Sequence, residues 1–218
     1  MEFTKTYPEP EPLKPWNSIW TQPSKTMRYL LWTGNYRYAE LLFFLAGMTH
    51  GLEEASSSSS LEGDSLLFII FIVPLIGGVG GLISYHILAW LLHILGRALG
   101  GKGKYKQVKS ALAWAFAPAI VSLATYAFGI ALFGGELFSE FTPRMDASQF
   151  LSGMYLGFVF IQFVAAIWTI FIGINTLSVA HGYSRWSAFF TYILSIIVIV
   201  LVAVVIGLFL ALLFGLAR

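Results

Sequence analysis

Cysteine is absent from the sequence, which excludes disulfides, thiolate catalysis and thiol-ligated metal centres. Charge is scarce as well. Only 11% of the 218 residues are charged against 57% hydrophobic, whereas a soluble domain carries roughly a quarter charged residues. The chain therefore lacks the polar surface needed to cover itself in water, and an all-α integral membrane protein is the class that remains. Catalytic signatures are missing too: there is no HExxH, no G-x-S-x-G and no P-loop. No two acids share one membrane segment, so no enzyme is expected, and neither cofactor nor metal. The first residues, MEFTKTYPEPEPLKP, lack the basic start and apolar run of a cleaved signal peptide. They read as a cytoplasmic, proline-rich tail over 1–15.

Against these absences stand five apolar stretches, at about 38–52, 66–95, 108–134, 150–179 and 188–217. A crossing takes roughly 20 residues, so the last four are long enough and the first is short. The second contains no polar turn and is expected to be one tilted helix. Pro74 and Pro118 suggest kinks.

Charge placement argues that the short stretch crosses as well. Lys5, Lys14, Lys25, Arg28 and Arg37 precede it, and Glu53, Glu54, Glu62 and Asp64 follow it. The next link holds Arg97, Lys102, Lys104, Lys106 and Lys109, the one after Glu136, Glu140 and Asp146 against Arg144, and the last Arg185. Lys and Arg in short loops mark the cytoplasmic side. The alternation predicts five crossings within 35–218, a cytoplasmic N-terminus and a C-terminus on the other side.

Between tail and first crossing, residues 16–34 place Trp16, Ile19, Trp20, Met27, Leu30 and Leu31 at helical spacing among polar residues. This predicts an amphipathic helix in the headgroup plane, with Trp16 and Trp20 touching headgroups; packing on the bundle is the alternative. Lys102, Lys104, Lys106 and Lys109 are expected to contact anionic lipid. The serines at 56–60 read as a solvated loop.

Polar groups at membrane depth are few, and each is a candidate site because it is costly to keep there. Glu40, His86, Asn175 and His181 fall at one cytoplasmic level, as a candidate pocket with Glu40 and His86 within about 6 Å. Separate satisfaction of each is the competing reading. Gly77 and Gly81, and Ala203, Gly207 and Ala211, have the small-xxx-small spacing for close helix approach, within the chain or between copies.

The motifs PWNSIWTQPSKTMRYLL, GGKGKYKQ, Ala113-Trp114 with Pro118, Trp168, Gly173 and LSVAHGYSRWSA occur in that order. Together they resemble the Yip domain, the family named for proteins that interact with Ypt/Rab GTPases, and in particular its prokaryotic branch. The resemblance covers the chain from about Trp16 onward. It implies a five-helix bundle with a cytoplasmic N-terminal region. Eukaryotic members act in vesicle traffic, binding small GTPases and shaping or sorting membranes; the short tail departs from them and carries no GTPase-binding motif. The expected role is a membrane scaffold or adaptor, with a small transporter or channel as the alternative. Expected partners are lipids and a protein on the cytoplasmic face, with a homo-oligomer left open and no nucleic acid.

Overall fold

The computed structural model describes residues 11–58 and 64–215. Most of the proline-rich tail, Glu62, part of the serine run and the end of the fifth stretch lie outside the described residues. Among the described residues every regular element is helical. In chain order these are α1 (Pro15–Ser18), α2 (Pro23–Thr33), α3 (Ala39–Ser57), α4 (Val73–Ala98), α5 (Tyr105–Ala115), α6 (Ala119–Phe133), α7 (Pro143–Asp146), α8 (Gln149–His181) and α9 (Arg185–Gly215). A π turn (Phe68–Ile72) leads into α4, and a 3-10 turn (Gly134–Phe138) closes α6.

Among the described residues four stretches are long and apolar enough to cross a membrane: Phe68–Ala98, Tyr105–Phe138, Gln149–His181 and Arg185–Leu213. The outward face of α4 shows why they need lipid. Phe71, Leu75, Val79, Ile83, Ile87, Trp90 and Ile94 recur every three or four residues and are all exposed. Such a stripe needs an apolar partner, which hydrocarbon supplies. The opposite face carries Pro74, Gly78, Gly81, Ala89, Leu92 and Gly96, all buried.

Both prolines act on the backbone, in different ways. Pro74 lacks an N–H and its ring crowds the carbonyl four residues back; the wider π turn just before it absorbs that conflict. Pro118 ends a helix outright. Phe116 and Ala117 bond three residues back, to the carbonyls of Ala113 and Trp114, so the third stretch is two helices, α5 and α6. The first stretch runs further than expected, with α3 continuing to Ser57. Ser56 and Ser57 are thus helical, and the Ser56 hydroxyl lies 3.1 Å from that of Tyr126.

The core has two parts. One, at the end bearing the basic links, gathers Ile19, Met27, Leu30, Leu42, Phe43, Leu92, Trp114, Ile172 and Leu177. The other, at the acidic end, gathers Leu52, Ile69, Tyr126, Phe133, Phe138 and Phe158. The first corrects the expectation for residues 16–34. Ile19, Met27 and Leu30 are fully buried in protein, and α2 packs on α8. Trp16 packs at a tilt against buried Trp114, ring centroids 4.8 Å apart, and edge-on against Tyr38 at 5.2 Å. Trp20 donates from Nε1 to the Trp16 carbonyl and accepts at its own carbonyl from Trp168. The apolar face predicted for headgroups is a protein contact, because the bundle offers a drier partner than the interface.

The closest approach is between α3 and α4. A Cβ added to Gly47 would stand 2.3 Å from the Gly77 carbonyl oxygen and 2.8 Å from Gly81 Cα. One added to Gly77 would stand 2.5 Å from the Gly47 oxygen. Backbone rests on backbone, with Gly51 extending the contact. On α9 the same spacing has no such partner. Ala203, Gly207 and Ala211 are exposed, with nothing within 4 Å of a Cβ on Gly207. Packing of that stripe inside the chain is therefore corrected: residues 201–213 touch no other element closely enough to be buried.

Candidate functional site

Glu40 lies in the first turn of α3, where the partial positive charge of the helix start favours a carboxylate. The opposed directions of α3 and α4 bring His86 to the same level, and α5 supplies Lys109. Lys109 Nζ is 2.6 Å from Glu40 Oε1, and His86 Nε2 is 3.3 Å from Glu40 Oε2. His86 Nδ1 is 2.6 Å from the Leu82 carbonyl in its own helix. That carbonyl accepts only, so Nδ1 carries a hydrogen. Nε2 then donates to an ionised Glu40 only when the ring is imidazolium. Lys109 donates to it as an ammonium. The cluster is accordingly a Lys–Glu pair with a histidine that joins on protonation. Its side chains are partly open: Glu40 is 52% exposed, His86 37% and Lys109 19%. At that exposure a pair contributes roughly 1 kcal/mol or less, so the cluster ties α3, α4 and α5 together without being a major source of stability.

The four candidates do not share one cavity. Asn175 is buried on α8, its Nδ2 donating to the Phe171 carbonyl at 2.8 Å and its Oδ1 accepting from Ser24 at 3.1 Å. It joins α8 to α2 and has no bond to Glu40. His181 is at a third place, 1% exposed, with neither ring nitrogen hydrogen-bonded. Its ring fills a cradle of glycines: a Cβ on Gly96 or Gly101 would come within 2.3 Å of it. His93 stacks on it at 6.3 Å, and the His181 carbonyl accepts from the Lys102 N–H at 2.9 Å. The GGKG link thus needs glycines to close over an imidazole. Among the described residues no three His, Asp or Glu side chains gather as a metal site.

The lysines divide. Lys102, Lys104 and Lys106 are exposed, as headgroup contact requires, but Lys109 is engaged with Glu40. Charge class alone placed it among the lipid-facing residues; its position on a buried helix face decides otherwise. Gly47 was the other omission, although Gly47 and Gly51 repeat on α3 the spacing seen at Gly77 and Gly81.

Local backbone chemistry fixes the link that follows His181. Gly182 adopts φ 69°, the left-handed conformation that ends α8. Its N–H bonds the Val179 carbonyl and the Tyr183 N–H the Ser178 carbonyl, closing the last turn. Burial raises the Tyr183 phenol to about 12, partly offset by its bond to Thr191. Ser184 then caps α9 by accepting the Ser187 N–H at 3.1 Å.

Neither a curated protein nor a solved structure matches the chain. The Yip1 domain does, over residues 16–214, from the tryptophan packed on Trp114 to the last turn of α9. With that match across nearly its whole length, and helices built to lie in lipid, the chain belongs to the Yip1-domain family of membrane proteins.

Proposed function

We propose that this protein is a non-enzymatic membrane scaffold or adaptor, acting through lipids and through a protein partner at its basic face. The observation that carries the reading is the α3–α4 crossing, where Gly47, Gly77 and Gly81 meet backbone to backbone. A transport route needs room and polar groups along its length, usually at interrupted helices near the midplane; this glycine cluster is the obvious place for one and is closed. The Yip1 family is not known for enzymes, which agrees. Five crossings are part of the proposal. α3 is only 19 residues long, about 28 Å at 1.5 Å per residue, slightly short of about 30 Å of hydrocarbon, so its crossing rests on the loop charges and on local thinning of the bilayer. Loop charge then puts the basic links and the N-terminus in the cytoplasm, and the C-terminus outside.

One observation favours the transporter alternative. A cleft of about 290 Å³ between α3, α6 and α8 is lined by Thr49, His50, Glu53, Ser122, Gln162 and Thr169 among others.

Reconstitution separates the two. Vesicles containing the purified protein should show no ion conductance above protein-free vesicles. Photo-crosslinkers at Lys102 and Lys106 in native membranes should yield a discrete protein adduct absent when the probe sits at Phe209 on α9. A conductance or saturable uptake abolished by Gln162→Leu would overturn the scaffold reading.

A further inference from the structure

A second cleft, of about 400 Å³, opens at the basic end where α2, the end of α8 and the start of α9 meet. Its walls include Ser24, Arg28, Ser178, Tyr183, Ser184 and Arg185. No carboxylate is among them. Arg28 and Arg185 come from elements far apart in sequence, and neither guanidinium has an ion pair or hydrogen bond among the described residues. Both arginines are exposed, and two cations on one concave surface without a carboxylate leave a positive potential that an anion relieves. The other polar walls are occupied. Ser24 donates to Asn175 and the Tyr183 hydroxyl bonds Thr191, so both shape the cleft without competing for its charge.

The start of α9 reinforces the sign. This helix of 31 residues begins at Arg185, and the N–H groups of Arg185 and Trp186 have no partner within it. The partial positive charge of the helix start adds to both guanidinium groups. Planar guanidinium forks match the oxygens of a phosphate two at a time. The link Gly182–Tyr183–Ser184 joins two apolar stretches that end at His181 and begin at Arg185, and a turn between two crossings belongs at the membrane surface, within reach of lipid phosphates.

We propose that this cleft binds one phosphate-bearing ligand, held by Arg28, Arg185 and the start of α9. The shared chemistry is a phosphate mono- or diester or its inorganic parent, so the source is either an anionic lipid headgroup or free phosphate. The assignment needs only the position of this link at the membrane surface, and it holds for a scaffold or a transporter alike.

The test uses the full chain, delipidated in a neutral detergent, with Arg28→Gln, Arg185→Gln and, as control, Lys14→Gln, an exposed cation at the same end that does not line the cleft. Phosphatidylglycerol is titrated by native mass spectrometry and inorganic phosphate by phosphorus NMR line width. The thermal melt of each variant reports folding. One site saturating at a single equivalent is expected. Its affinity should fall about tenfold or more in each arginine variant, the loss of a charge-assisted contact, and hold in Lys14→Gln. Saturation by the lipid, undisplaced by millimolar phosphate, identifies a headgroup; saturation by phosphate that displaces the lipid identifies free phosphate. Equal weakening by all three variants would mean diffuse surface attraction and would overturn the site, as would no saturable binding of either probe.

Discussion

Replacing Gly47 by alanine adds one methyl group where two helix backbones meet directly. Its Cβ would lie 2.3 Å from the Gly77 oxygen and 2.8 Å from Gly81 Cα, against a closest comfortable carbon–oxygen approach of about 3.3 Å. Both atoms are backbone, so no rotamer change relieves the clash and the two helices must separate by about 1 Å. Overpacking of this kind costs about 1–3 kcal/mol. A gap of that size forfeits a quarter to a half of each neighbouring dispersion contact. Alanine's better helix propensity returns up to about 1 kcal/mol, leaving a net loss near 2 kcal/mol. Gly80→Ala is the internal control: same helix region, same residue change, and nothing within 4 Å of the added carbon. It should be neutral or slightly stabilising. In a detergent-solubilised sample followed by tryptophan fluorescence, Gly47→Ala should melt about 4–8 °C lower, taking 2–4 °C per kcal/mol for a chain of this size. Gly77→Ala should act alike, and the double variant should lose less than the sum because one separation serves both methyl groups. A Gly47→Ala melt equal to or above that of Gly80→Ala would refute the crossing.

Three further outcomes are expected. Trp16 and Trp114 should resist quenching by brominated lipids at every depth, since they pack on each other, whereas Trp186, 72% exposed, should be quenched; Trp114→Ala should cost about 3–5 kcal/mol. A double-mutant cycle with Glu40→Gln and Lys109→Met should give a coupling of about 0.3–1 kcal/mol that shrinks in high salt, and zero coupling at low salt would leave the pair a contact without energy. Reporter fusions after Ser58 and Gln149 should read outside the cytoplasm and those after Gly103 and Tyr183 inside; a cytoplasmic signal at Ser58 would reduce α3 to a helix that does not cross.

Hydropathy makes the long apolar helices legible because exclusion from water is a property of composition summed over twenty residues. It is blind to what happens inside such a run. Across Ala113–Ala119 every residue is apolar, so the break at Pro118 leaves no trace in hydropathy, and only the missing N–H betrays it. The end of α3 is hidden for the opposite reason: Glu53 and Glu54 read as a loop, yet an exposed helix end accommodates carboxylates without cost. The stripe of Trp16, Ile19 and Met27 announces a buried face but not its partner, since lipid and protein are equally dry. The polar level has the same weakness. Depth is one coordinate of three: it puts Glu40, His86, Asn175 and His181 at one height, while the rotation of each helix about its axis decides that Glu40 meets His86 and Lys109, that Asn175 meets Ser24, and that His181 stacks on His93. Arg28 and Arg185 escape notice because each, taken singly, is one more basic residue on a basic face.

The length of α9 sets a condition on the bilayer itself. From Arg185 to Leu213 it offers 29 residues, about 44 Å at 1.5 Å per residue, to a hydrocarbon layer of about 30 Å, and its distal half has no neighbouring helix to fix its angle. Such mismatch is relieved by steep inclination of the helix, by local thickening of the lipid, or by both, at a fraction of a kcal/mol per Å. The chain should therefore partition toward the thicker regions of a heterogeneous membrane, and cutting α9 by two turns should remove that preference.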